Sequence, residues 1–141
     1  MATFIFKTEP STYSFQDLVR EGRAVWDGIT NNAALGHLRS VRKGDDVLIY
    51  HTGDEKAVVG LARAAASSRE DPKKPEKNPS GAPKFAVVDL VPVRAVPRPV
   101  TLAQIRADRR FASLGLVRQS RLSVVPVPPE MDEALRELAG L

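Results

Sequence analysis

Phe4-Ile5-Phe6-Lys7-Thr8-Glu9-Pro10, followed by Ser14-Phe15, is the stretch from which the rest of the chain is read. Its apolar start predicts a strand over about residues 4–8. The strand runs directly into a cation, a hydroxyl and a carboxylate. Pro10 ends it, because proline has no N–H for a sheet ladder and holds its neighbour extended. Three different polar groups at one strand end are costly beside a core. Backbone rules alone would accept any polar residues there, so the combination reads as a site.

Local signals organise the neighbouring segments. Ser14 and Asp17 have capping-box spacing for a helix to Glu21, Tyr13 and Leu18 suit the hydrophobic staple, and Gly22 is a C-terminal stop. Asp27-Gly28 is a turn pair. A second helix starts at Asn31 or Asn32, with Leu35 and Leu38 inward. Val47-Leu48-Ile49-Tyr50-His51 is a strand, Thr52-Gly53-Asp54 a hairpin turn, and about 57–66 the next strand, with Gly60 as a bulge. Residues 67–83 carry four prolines and alternating charge, which predicts a long, flexible exposed loop. A strand follows over 85–93. Thr101 and Gln104 form a second capping box, a helical turn falls near 111–114, and a late strand spans 122–127. A last helix opens at Pro129, with Met131, Ala134, Leu135 and Leu138 as its stripe.

Five or six strands and about four short helices in irregular order exclude a doubly wound sheet. The expected class is α+β: a small, bent mixed sheet or barrel with peripheral helices. The 141 residues fit one domain, 1–141, with enough length for its own core. No cysteine is present, which removes disulfides, thiolate nucleophiles and Cys-based zinc sites. No run approaches the roughly 20 apolar residues of a membrane span. The expectation is a soluble, cytoplasmic monomer, nucleoid-associated if it binds DNA, with no membrane partner.

The net charge is +4, and 14 of the 21 cations are arginine. From 94 to 121 seven arginines face one acid, Asp108. Arginine suits bidentate contact with phosphates and base edges, so nucleic acid leads the partner classes. A solvated basic surface is the plainer reading.

No catalytic motif, phosphate loop or metal spacing is present, so no cofactor, metal ion or catalytic residue is expected. Four clusters carry binding chemistry: Lys7-Thr8-Glu9; Trp26-Asp27-Gly28 with Asn31 behind it; Tyr50-His51; and Val117-Arg118-Gln119-Ser120-Arg121-Leu122-Ser123. Six of the eight aromatics fall in the first fifty residues. Aromatic faces beside amides, hydroxyls and a carboxylate suit one planar, hydrogen-bonding ring. Each cluster also has a structural reading. Trp26 suits a core with a backbone partner for its N–H, and Tyr50-His51 a hairpin end. Lys7 and Glu9 suit a surface pair, and Arg118 and Arg121 open solvent.

These clusters, with Lys43 to Gly53 and Glu55 to Ala62 between them, resemble the EVE domain in order and spacing over nearly the whole chain. Two positions depart from the family pattern: Phe4 stands where tryptophan is usual, and Thr30-Asn31 where arginine-asparagine is usual. The resemblance implies a PUA-like bent pseudo-barrel and a non-enzymatic module whose pocket takes a nucleobase. The implied ligand is a modified base in DNA, such as methylated or hydroxymethylated cytosine, with RNA as the alternative. A nucleotide-handling enzyme is a weaker alternative. By carry-over, Lys7, Thr8 and Glu9 line the pocket mouth, Trp26, Tyr50 and His51 supply rings and a donor, and Asn31 sits close by. Arg118, Gln119, Arg121, Leu122 and Ser123 then close the wall.

Overall fold

A computed structural model describes residues 1–141. The elements, in chain order, are β1 (Thr3–Thr8), α1 (Phe15–Glu21), β2 (Ala24–Trp26), α2 (Asn32–Arg39), β3 (Asp46–His51), β4 (Ala57–Ala64), β5 (Arg69–Glu70), β6 (Ala86–Thr101), α3 (Leu102–Ala107), α4 (Gly115–Arg118), β7 (Val124–Val127) and α5 (Pro129–Ala139). The class is α+β. Six strands form one curled sheet in the order β2-β6-β4-β3-β1-β7, and β5 pairs with β6 beside it.

β1 lies between β3, with which it runs parallel, and β7, with which it runs antiparallel. Phe4, Ile5 and Phe6 are all buried, which is why three apolar residues stand in a row instead of alternating. The sheet bends at Val59. In the β3–β4 ladder Ile49 faces Gly60 while Tyr50 faces Val58, so Val59 is the extra residue of a bulge. Gly60 also admits Phe15: a Cβ there would lie 2.3 Å from the phenyl ring.

Local signals read correctly where they were strongest. Ser14 and Asp17 make the capping box of α1, and Gly22 closes the helix at φ 77°. Thr101 and Gln104 make that of α3, and Asn31 caps α2 by accepting the Ala34 N–H. The stripe of α5 is Met131, Ala134 and Leu135, with Ala139 buried as well.

Three differences from the expected elements have physical causes. β6 runs on to Thr101 instead of stopping at 93. It passes its prolines by bulging: Gly60 faces Ala95 and Val58 faces Val100, so Pro97 and Pro99 fall in a stretch that owes β4 no ladder bond. β2 was too short to announce itself, and it forms because Trp26 is buried against the curled sheet opposite Val88. The 67–83 stretch contains β5 and a bridge between Lys77 and Pro83. Asp89 anchors this region by accepting from Arg69 at 3.2 Å and from Arg23 at 3.1 Å. No helix is long and apolar enough to cross a membrane.

Candidate functional site

The strand end that opens the sequence forms one rim of a cleft of about 580 Å³. Lys7 and Thr8 supply that rim, Tyr13 and Glu21 come from the two ends of the α1 segment, and Trp26 and Asp27 come from β2 and the turn after it. Trp26 is 8% exposed. Its ring meets Phe6 at 5.8 Å between centroids and Tyr13 edge-on at 5.9 Å and 79°. No buried side-chain polar atom in the protein lacks a partner, yet the indole N–H bonds no protein group. The N–H therefore reaches the solvent of the cleft. The cleft thus presents an edge of Trp26 with a spare donor, held in place by two other rings, and beside it the more exposed ring of Tyr13.

Tyr13 is set by its polar end. Its hydroxyl donates to Glu21 Oε1 at 2.5 Å, and Thr8 Oγ1 donates to the Tyr13 carbonyl at 2.7 Å. Burial, then the Glu21 hydrogen bond and charge, hold the phenol well above its ordinary value. Tyr13 is therefore a neutral donor that already has an acceptor. Asp27, exposed in the turn, is the carboxylate in the cleft without such a bond.

A second cavity of about 330 Å³ lies beside the first. Arg118, Gln119, Ser120, Arg121 and Leu122 line it, with Asn31 and Ala33 across from them. Arg118 and Arg121 are exposed and pair with no acid or carbonyl of the protein. The Asn31 carbonyl oxygen is used in capping α2 at 2.9 Å, which leaves its amide N–H groups to the cavity. Lys7 separates the two cavities. Its Nζ donates to the Ser120 carbonyl at 2.9 Å, and its backbone N–H donates to the Ser123 carbonyl at 3.0 Å. Burial of this half-covered ammonium lowers its pKa from the ordinary lysine value.

Of the residues carried over by resemblance, Lys7, Thr8 and Trp26 meet in the larger cleft. Asn31, Arg118, Gln119, Arg121 and Leu122 meet in the smaller one. Ser123 joins the two through its backbone. Three residues lie elsewhere. His51 is 3% exposed. Its Nε2 accepts the Phe15 N–H at 3.0 Å, and its Nδ1 meets Glu55 at 2.6 Å. Glu9 turns outward to Ser11 and Thr52, bracing the β1 end against the β3–β4 hairpin. Tyr50 is core, 6.0 Å from the Lys7 ammonium at its ring centre. Burial raises its phenol pKa, and the Arg106 charge lowers it in part.

Tyr13, Glu21 and Asp27 are cleft residues that the carried-over set did not include. Tyr13 belonged to the aromatic cluster and Asp27 to the Trp26 cluster, so a signal existed for both. Glu21 gave none, because a helix-terminal glutamate is an ordinary surface residue.

The fold recurs in known proteins. The EVE domain family model matches residues 2–138. Human thymocyte nuclear protein 1 is 26% identical over 155 residues, covering 90% of this chain and 69% of its own length. Among solved structures, Rpa0253 from Rhodopseudomonas palustris superposes with a TM-score of 0.88 at 34% identity, covering 99% of this chain and 94% of that one. Human THYN1 protein in complex with 5-methylcytosine-containing DNA has the same fold: TM-score 0.89, 22% identity, 100% of this chain and 99% of that one. With a family-model match over nearly its entire length and a shared fold, the chain belongs to the EVE domain family.

Proposed function

We propose that this protein is a non-enzymatic reader of a modified base in DNA, with methylated or hydroxymethylated cytosine as its ligand. The observation that carries the reading is the pairing of the two cavities. A ring surface with an unused indole N–H sits next to a pocket of unpaired arginines, separated by a single lysine. An extruded base fits the first, and its phosphates fit the second. The complex of human THYN1 protein with 5-methylcytosine-containing DNA supports the choice of ligand.

The energetics suit this division of labour. Stacking a base on an aromatic ring contributes about 1–3 kcal/mol. Extruding it costs a few kcal/mol. The base pocket alone is therefore a weak binder, and the arginines supply affinity that falls with salt. The carboxylate of Asp27, beside Trp26, is suited to accept from an exocyclic amino group, which cytosine has and thymine lacks.

The test is titration of duplexes that differ only in one cytosine: plain, methylated or hydroxymethylated, each at low and moderate salt. The expected result is tighter binding of a modified duplex that persists as salt rises. Equal affinity for all three duplexes, lost together at moderate salt, would overturn the reading.

A further inference from the structure

A third cavity, of about 420 Å³, continues the arginine pocket around the first turn of α2. Asn31 and Ala33 line the arginine pocket, and Asn32, between them in sequence, lines the third cavity. Its other walls are Arg39 at the far end of α2, and Lys77, Asn78 and Lys84 from the segment before β6. No large apolar side chain lines it, which sets it apart from the base cleft and from an ordinary protein-docking groove.

This surface is built, although it is formed largely by a loop. Arg39 Nη2 donates to the Lys84 carbonyl at 2.6 Å, tying the loop end to α2. The Asn78 side chain accepts from Ser80 and Ala82, closing the turn between Lys77 and Lys84. The Lys84 ammonium lies 5.3 Å from the Phe85 ring centre, with that of Lys74 at 5.0 Å. Two carboxylates belong to the neighbourhood. Glu70 pairs with Lys77 at 2.9 Å, and Glu76 lies beside Lys84 through its backbone. The side chains of Lys84 and Arg39 pair with neither carboxylate.

We infer that the α2 face carries a phosphate track, running from Arg118 and Arg121 across Asn32 to Arg39, Lys77 and Lys84, that holds the duplex flank of the DNA whose base occupies the cleft. The inference rests on the base-reading proposal for the identity of the ligand. From Asn32 to Arg39 is seven residues, about 10 Å of helix. One DNA strand carries a charge about every 3.4 Å of duplex axis, so a helix lying along that axis spans about three phosphates. The track would supply affinity without sequence information, because phosphate contacts fix register and do not read bases.

The test compares two duplexes with the same central methylated cytosine, one short and one extended by about one helical turn (~10 base pairs) on each side. Wild-type protein is expected to bind the extended duplex about tenfold tighter at low salt. The exposed pair Lys77→Glu with Lys84→Glu is expected to abolish that gain and leave affinity for the short duplex within about twofold. Loss of two phosphate contacts also lowers the log–log salt slope on the extended duplex by about 1.8. Lys56→Glu, a reversal outside the track that changes net charge by half as much, controls for charge reversal as such and is expected to keep the length gain.

A length gain that survives Lys77→Glu/Lys84→Glu overturns the track, and so does one lost equally in Lys56→Glu. Thermal unfolding of each variant at the wild-type temperature guards against misfolding, and Lys77→Gln/Lys84→Gln repeats the test with a milder change. Should the length gain depend on Lys77 and Lys84 while plain and methylated duplexes bind alike, the track stands and base reading falls. Binding of no duplex overturns both.

Discussion

His51 Nε2 accepts the backbone N–H of Phe15 at 3.0 Å, so the last residue of β3 satisfies the first N–H of α1. That N–H is one of the four that a helix start leaves without an intrahelical partner, and here it is buried. Because Nε2 accepts, the ring hydrogen sits on Nδ1 and points to Glu55. The expected effect of His51→Leu is a loss of about 1–3 kcal/mol, the cost of a buried donor left unpaired. Urea unfolding measures it. Discrimination between modified and plain duplexes should stay as in wild type where the variant is folded, because His51 lies outside both cavities.

Trp26→Ala is expected to weaken binding of a modified duplex by about 5- to 150-fold, the equivalent of one lost stack. Trp26→Phe keeps a ring and removes the indole N–H. If the N–H reads the base, this variant retains much of the affinity and loses part of the discrimination. Fluorescence anisotropy with plain and methylated duplexes separates the two effects.

Arg118→Ala and Arg121→Ala should act on all duplexes alike. Each is expected to reduce the log–log salt slope by about 0.9 for one phosphate contact, with the modified-to-plain ratio unchanged. A change in that ratio would mean that the arginines touch the base itself.

Gly60→Ala places a methyl group against the Phe15 ring, where 2.3 Å is available. Overpacking of this kind costs about 1–3 kcal/mol. Adding Phe15→Leu should recover part of the loss, so the double variant is more stable than the sum of the single effects predicts. Denaturant titration of the four proteins closes the cycle.

Acid stability should trace in part to Asp89. Burial pushes its carboxyl up, but hydrogen bonds and charges from Arg69 and Arg23 outweigh burial and hold it below the ordinary 3.8. A carboxyl with a depressed folded-state pKa stabilises the fold above its unfolded value, and the contribution is lost as pH falls through the folded value. Asp89→Asn should therefore be less stable than wild type at neutral pH, and the gap should narrow below pH 3.8. Thermal unfolding across that range gives the comparison.

Residues whose job is local were legible in the sequence. The Ser14–Asp17 and Thr101–Gln104 boxes need only neighbours three positions away, so their spacing was sufficient. The family pattern carried the fold as a whole. What stayed hidden depended on distant partners. Pro97 and Pro99 looked like the end of a strand because the bulge that accommodates them is set by β4. Tyr50, His51 and Glu9 read as site residues because they stand in polar and aromatic clusters that match the family pattern. Which side of a strand faces a cleft turns on a one-residue shift, and only the assembled sheet fixes it. Tyr13 and Glu21 became cleft residues only once α1 folded back beside Trp26.

The two hydrogen bonds from Lys7 to Ser120 and Ser123 also govern when the site first exists. One wall, at Lys7, is synthesised more than a hundred residues before the other, at Ser120 and Ser123. At about 5–20 residues per second the first wall waits roughly 6–23 s for its counterpart to be synthesised. No nascent fragment that lacks residues 118–122 holds the arginine pocket, and β1 has only β3 to pair with until β7 arrives. The lining of the aromatic cleft is thus synthesised early and that of the arginine pocket late, so the two cavities come into being at different times.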